Sequence, residues 1–364
     1  MVYLIGAFLL IPTLIDKKNN KTIGIIWILF AASVATFNST IADRISYYRM
    51  YERIGNGSFE SERIEIGFRY LMKWANAIGL EKNFFFFIIF VVSLSIYYIS
   101  FSRYVKRSNI VFLFYLLFPF GLDAAQIRSM LAGGIVLYGV WYLRGFSIKN
   151  ILIYVSLIAI ATTIHNSALF FLILCVCYLP NRKGKFLLYN SIAVIISIII
   201  LQTGVFFDLI SKVIINSSGF NYIETAEKAT RFYGYCALCI ILILFYKYCK
   251  QCIRISDIQQ TLFFNMMYYV NILSLWSCLF VYFNNNFTRL IRVFVILNFI
   301  LLELFLENDR KWIKVKFSKG IFYLSGIAFC VLLLFILNNS NMDTTYGELL
   351  NHCELFNFGL NNMR

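Results

Sequence analysis

The sequence predicts an all-α, polytopic membrane protein with about twelve transmembrane helices. Three observations carry that expectation. Apolar and aromatic residues make up 60% of the chain and charged residues 14%, whereas about a quarter of a soluble domain is charged. The apolar residues fall in blocks separated by short charged stretches, as spans joined by loops do. The chain has only three prolines, Pro12, Pro119 and Pro180, so few blocks carry a helix breaker. A soluble fold could not hide this much apolar surface, because area does not shrink fast enough with size.

The spans are expected near 2–15, 23–37, 84–101, 110–120, 130–143, 151–164, 168–179, 186–200, 232–246, 262–283, 290–306 and 321–337. The first reads as a helix rather than a cleaved leader, since Met1-Val-Tyr-Leu-Ile has no charged head and no small-residue cleavage site. The two Cys-x-x-Cys pairs, Cys236/Cys239 and Cys249/Cys252, lie in one apolar run. On a helix they would stand ~20 Å apart, too far to share one zinc. With His165 and His352 the only histidines, no metal and no cofactor are expected.

Basic clusters set the sidedness. They are Lys17/Lys18/Lys21, Arg103/Lys106/Arg107, Arg144/Lys149, Arg182/Lys183/Lys185, Lys247/Lys250/Arg254 and Arg310/Lys311/Lys314/Lys316/Lys319. Positive loops stay cytoplasmic, so neighbouring clusters must be joined by an even number of crossings. The apolar stretch 151–179 lies between two clusters. As one helix it would run ~43 Å, beyond a ~30 Å hydrocarbon core. It is therefore expected to be a hairpin with its apex at His165-Asn166-Ser167. The same logic makes 110–143 a hairpin with its apex near Asp123–Arg128. These inner loops, counted with their own acids, carry the whole +15 net charge of the chain. The basic balance thus reports membrane orientation and not nucleic-acid binding. Both termini are expected outside.

Three outer segments are long: 38–83, 201–231 and the tail 338–364. In the first, Ile64, Phe68, Leu71, Ala75 and Ile78 recur at helical spacing. They predict an amphipathic helix lying on the membrane surface.

The outer apexes and loops hold the candidate site residues. Asp43, Tyr47 and Tyr51 fall at i, i+4 and i+8, one face of a helix. Glu65 follows, Arg128 and Arg289 stand at the outer mouths of spans, and His165 stands at an apex. Ionisable groups at that depth are costly unless paired or wetted, which makes them functional candidates. Each also has an ordinary use. The arginines can snorkel to headgroups, Asp43 can cap a helix, His165 can be a turn residue, and the tyrosines can form an interfacial belt. Taken together they suit one chemistry. Two arginines can clamp a diphosphate and stabilise its departure. A carboxylate or a histidine can activate a hydroxyl, and aromatic rings can stack on sugars.

The chain resembles the EpsG-like branch of the Wzy-type bacterial polysaccharide polymerases. The matching pieces are Asp43-x-x-x-Tyr47 with Tyr51, Glu65-Ile-Gly-Phe68, Gln126-Ile-Arg128-Ser-Met-Leu-Ala132, Ile164-His165-Asn-Ser167-Ala-Leu169 and Phe287-Thr-Arg289-Leu. They occur in the family's order over nearly the whole chain, although this chain has Arg44 where the family often has tyrosine. The resemblance implies a GT-C-like fold in the bacterial inner membrane. The implied reaction polymerises O-antigen, capsule or exopolysaccharide units at the outer leaflet from undecaprenyl-diphosphate-linked substrates, with a chain-length regulator as a further partner. It implies diphosphate contacts for Arg128 and Arg289, a place beside the reacting centre for His165, and orientation or deprotonation of the acceptor by Asp43 or Glu65. Tyr47 and Tyr51 are the candidates for sugar contacts. A flippase or transporter of the same lipid-linked sugars, an O-antigen ligase and a membrane acyltransferase are the alternatives. Transporters place polar groups at the midplane in repeated, broken helices, and this sequence shows no internal repeat.

Overall fold

The computed structural model describes residues 2–15, 19–38, 43–57, 64–145, 147–178, 183–202, 232–252, 255–283, 285–308 and 323–330. The described residues are mostly helical and contain no strand. In lipid an apolar segment must satisfy its own backbone polar groups, and a helix does so. Of the expected outer segment 201–231 all but its first two residues, and the whole of the expected tail 338–364, lie outside the described residues.

The chain opens with α1 (Val2–Ile15) and α2 (Lys21–Thr36), then α3 (Arg44–Gly55) and α4 (Ile66–Ala77). Next come α5 (Lys82–Ser102), α6 (Ser108–Leu117), α7 (Phe120–Ala125), α8 (Ile127–Val140) and α9 (Ile148–Ile164). The last group is α10 (Lys183–Gln202), α11 (Phe232–Cys252), α12 (Ile258–Leu273), α13 (Leu275–Phe283) and α14 (Arg289–Asn308). A further helical stretch covers 323–330. Three helical runs are long and apolar enough to cross a membrane: Lys82–Tyr104, Phe232–Cys252 and Ile258–Tyr282. The other expected spans in the described residues are helical; most are shorter, and the 20-residue α14 instead carries Arg292, Glu303 and Glu307. Pro119 ends α6 early, because the residue before a proline is forced out of the helical region and Phe118 is extended.

The stretch 151–179 folds back on itself at His165. From Asn166 to Tyr178 the chain is a 3₁₀-helix packed along α9. Such a long 3₁₀ run is exceptional. At 2.0 Å per residue its 13 residues reach ~26 Å, matching the ~26 Å of the 17-residue α9. The shorter arm is stretched to the length of its partner.

The segment 38–83 holds two helices, and the expected face needs correcting. Ile64, Phe68 and Ala75 are buried as a stripe, joined by Met72, but they face protein: α4 packs against α3 and α9. Leu71 is only half-buried, and Ile78 is exposed. The opposite side of α4 carries Ile66, Tyr70, Trp74 and Ile78, each more than half exposed at 57–65%. Thus α4 has two apolar faces, and the periodicity could not say which one meets the protein.

The central helix is α14, buried continuously from Leu290 to Leu306 and touching α6, α8, α11 and α12. Several of its polar side chains are matched within the bundle. Asn298 and Asn271 exchange amide hydrogen bonds of 2.8 and 3.1 Å, and Tyr323 donates to Glu303 at 3.1 Å. Its C-terminal end meets the basic loops. Glu307 accepts the backbone N–H groups of Lys106 (2.7 Å) and Arg107 (3.1 Å). Arg103 lies over the ring of Tyr138 and Arg144 over that of Trp141. Arg289 stands at the other end of this helix, ~30 Å away.

Candidate active site

The site forms where α3, α4, α8, α9 and α14 end together, and Glu65 is its centre. Glu65 precedes α4 in extended conformation (φ −61°, ψ 144°) and does not cap its own helix. Its carboxylate instead reaches across the bundle. One oxygen pairs with Arg128 at the start of α8. The other lies 2.7 Å from His165 Nδ1 and accepts the Asn166 backbone N–H at 3.2 Å. Gly67 permits this approach, because a Cβ there would lie 2.4 Å from Thr163 Oγ1 and 2.8 Å from the Thr163 carbonyl oxygen. The glycine of Glu65-Ile-Gly-Phe68 therefore lets the first turn of α4 press on the last turn of α9.

His165 follows α9 in extended conformation, with its backbone N–H on Ala161 at 2.9 Å. Its Nε2 lies 2.5 Å from Arg289 Nη1. A guanidinium only donates, so Nε2 accepts, Nδ1 carries the proton, and that proton is donated to Glu65. The imidazole is thus neutral, with its tautomer fixed from both sides. Burial holds the His165 pKa below the usual histidine value; the Glu65 hydrogen bond opposes this and Arg289 reinforces it. Burial alone would raise the Glu65 pKa, but the His165 hydrogen bond and the Arg128 charge outweigh it and bring it down to about 2.

Tyr47, buried on α3, accepts a hydrogen bond from Arg128 Nε–H on its hydroxyl oxygen at 3.4 Å, and its ring lies 5.6 Å from that guanidinium. Asp43 stands at the head of α3 without capping it. Desolvation by its neighbours raises its carboxyl pKa, against the lowering charges of Arg128 and Arg289, although the residue surface is open. Tyr51 sits elsewhere. Its hydroxyl donates to the Leu80 carbonyl at 2.6 Å and its ring packs on Phe85 and Phe86.

A family model covers residues 21–349. The chain belongs to the EpsG family. EpsG is a Wzy-like polymerase family, and this membership together with the apolar helices makes the chain a membrane protein of polysaccharide-polymerase type. No curated protein and no solved structure matches the chain.

The EpsG chain also holds a second polar group that sequence reasoning passed over. One turn deeper on α14 than Arg289, Arg292 donates to Asp123 Oδ1 at 2.8 Å and to Gln126 Oε1 at 3.0 Å. Tyr115 donates to the other Asp123 oxygen at 3.2 Å. Asp123 was visible in the sequence only as a residue of an apex, and Gln126 only as an apex residue that opens a matching motif. The available signal was an arginine inside an apolar span three residues after another arginine.

Proposed function

We propose that this protein elongates a polysaccharide at the outer face of the bacterial inner membrane. It transfers the growing glycan from undecaprenyl diphosphate to the next lipid-linked repeat unit. The observation that carries this reading is the hydrogen-bonded line Arg128–Glu65–His165–Arg289. A carboxylate on Nδ1 leaves Nε2 as the basic nitrogen, the arrangement by which many enzymes orient a histidine base. The two arginines flank that base, where a diphosphate leaving group would need them.

The acceptor hydroxyl loses its proton to His165 Nε2 as its oxygen bonds to the anomeric carbon. The bond from that carbon to the diphosphate breaks, and the diphosphate leaves with the electron pair, stabilised by Arg128 and Arg289. In the free protein Arg289 occupies Nε2; a diphosphate that draws the guanidinium away frees the base. Glu65 is fully engaged and strongly ionised, so it orients His165. Asp43, open and with a raised pKa, orients the acceptor hydroxyl. Tyr47, buried with its hydroxyl on Arg128, holds that guanidinium in place at the edge of the site. The positive-inside rule puts the basic end of α14 in the cytoplasm and the site outside. With that orientation, the exposed stripe of α4 lies in the outer interface, where tryptophan and tyrosine are favoured.

The test uses a deletion strain and purified variants. Loss of a polymerase leaves single repeat units on the lipid carrier. Loss of a ligase leaves full-length polymer there, and loss of a flippase leaves units facing the cytoplasm. Arg128→Ala and His165→Ala proteins that insert normally should fail to restore polymer. Normal polymer length and yield from either would refute the assignment.

A further inference from the structure

A small cavity lies directly beneath the site. It is lined by Arg289, Arg292, Ser129, Ser167, Tyr97 and Asp123 among others, and it has room for about one water-sized group. Arg292 is 4% exposed. Its two terminal nitrogens are used by Asp123 and Gln126, but its Nε–H is buried with no hydrogen-bond partner among the described residues. A buried donor without a partner costs about 1–3 kcal/mol, more when charged, so native structures rarely leave one. Here the donor belongs to a guanidinium that lines a cavity whose other walls supply further N–H and O–H groups.

We infer that this cavity is an anion subsite that receives one non-bridging oxygen of a diphosphate, donated to by Arg292 Nε–H, Ser129 and Ser167 beneath Arg289. The inference rests on the diphosphate chemistry proposed above and adds to it Arg292, Ser129 and Ser167. Size favours it: a phosphoryl oxygen is as large as a water, while a whole phosphate would not fit. The net positive charge comes from Arg289, since the Asp123 carboxylate also lines the cavity. Asp123 neutralises Arg292 for burial while leaving its Nε–H free to donate, so the subsite is held rigid before the ligand arrives. Residues 289 and 292 share one helix face, so one phosphate can rest on Arg289 while an oxygen points down towards Arg292.

The experiment measures binding of inorganic diphosphate and inorganic phosphate to the full chain in lipid nanodiscs. Arg292→Lys keeps a cation for Asp123 but removes the Nε–H, and Ser167→Ala removes one hydroxyl with little risk to folding. A hydrogen bond to a charged group is worth about 1.5–3 kcal/mol, so Arg292→Lys should weaken diphosphate binding by about 10- to 100-fold. Ser167→Ala should weaken it by about 3- to 10-fold. Both should lose discrimination between diphosphate and phosphate, which a purely structural role of Arg292 would leave unchanged. If folded Arg292→Lys and Ser167→Ala bind diphosphate as the wild type does while Arg289→Ala does not, the subsite is refuted and the proposed function stands. If Arg292→Lys fails to fold, Ser167→Ala decides alone. If the wild-type protein binds no diphosphate, both readings fall.

Discussion

Glu65→Gln separates the charge of the central carboxylate from its shape, and the structure sets how much it should cost. The Glu65 pKa falls from an ordinary 4.5 to about 2 in the folded protein. Each pKa unit corresponds to about 1.36 kcal/mol, so the full difference is about 3.4 kcal/mol. The carboxyl is partly open to water, and solvent screening reduces this to about 2 kcal/mol. Because the folded pKa is depressed, the stabilisation is fully present above pH 4.5 and is lost as pH falls through about 2. Glutamine keeps an oxygen for His165 Nδ1–H but loses the charge facing Arg128. Equilibrium unfolding in detergent should therefore show the variant about 2 kcal/mol less stable than wild type at pH 7. The gap should shrink as the pH drops below 4.5. A penalty below about 0.5 kcal/mol at pH 7, the scale of an ordinary surface substitution, would refute the reasoning. So would a penalty of the same size at pH 7 and pH 3.

Four further outcomes follow from the same geometry. The acid limb of polymerase activity should lie below the ordinary histidine pKa of 6.5, since His165 is held neutral in the fold; Glu65→Gln should move it lower still, and a limb above 6.5 in a pH–rate profile would contradict the neutral base. Gly67→Ala should cost activity more than tenfold, because its Cβ meets the Thr163 backbone oxygen at 2.8 Å and misplacement of this order is expensive in catalysis; wild-type turnover would show that the close approach is dispensable. Tyr51→Phe should lose about 1 kcal/mol of stability with its bond to Leu80 yet retain activity, whereas equal activity losses from Tyr51→Phe and Tyr47→Phe would return Tyr51 to the site. Trp74 fluorescence, in a variant lacking the other tryptophans, should be quenched by brominated lipids, and quenching by soluble iodide alone would place that stripe of α4 away from lipid.

Several site residues were legible because they obey one-dimensional rules. Basic loops must stay on one side, and that alone put Asp43, Glu65, Arg128, His165 and Arg289 at the opposite ends of the spans. The His165 turn was legible for a similar reason: the stretch 151–179 is too long to be one crossing. What failed was anything that depends on which surface a helix presents to which neighbour. The spacing of Ile64, Phe68 and Ala75 described a buried stripe correctly, yet protein and not lipid covers it. Tyr51 shares a helix face with Tyr47, but the crossing of α3 and α5 sends its hydroxyl to Leu80.

The amino-acid order by itself determined that the described residues are mostly helical, that the chain turns at His165 and which polar groups share one end of the bundle. Those properties come from hydropathy, charge and the length of a helix against the thickness of a bilayer. Only the tertiary structure decided that Glu65 is the hub and that His165 carries its proton on Nδ1. It likewise decided that Arg292 keeps an unmatched buried donor and lines a cavity shared with Arg289. The relevant residues lie 63, 100 and 124 positions apart. Which oxygen meets which nitrogen across such separations depends on how close two helices approach, and at this site a glycine sets that distance.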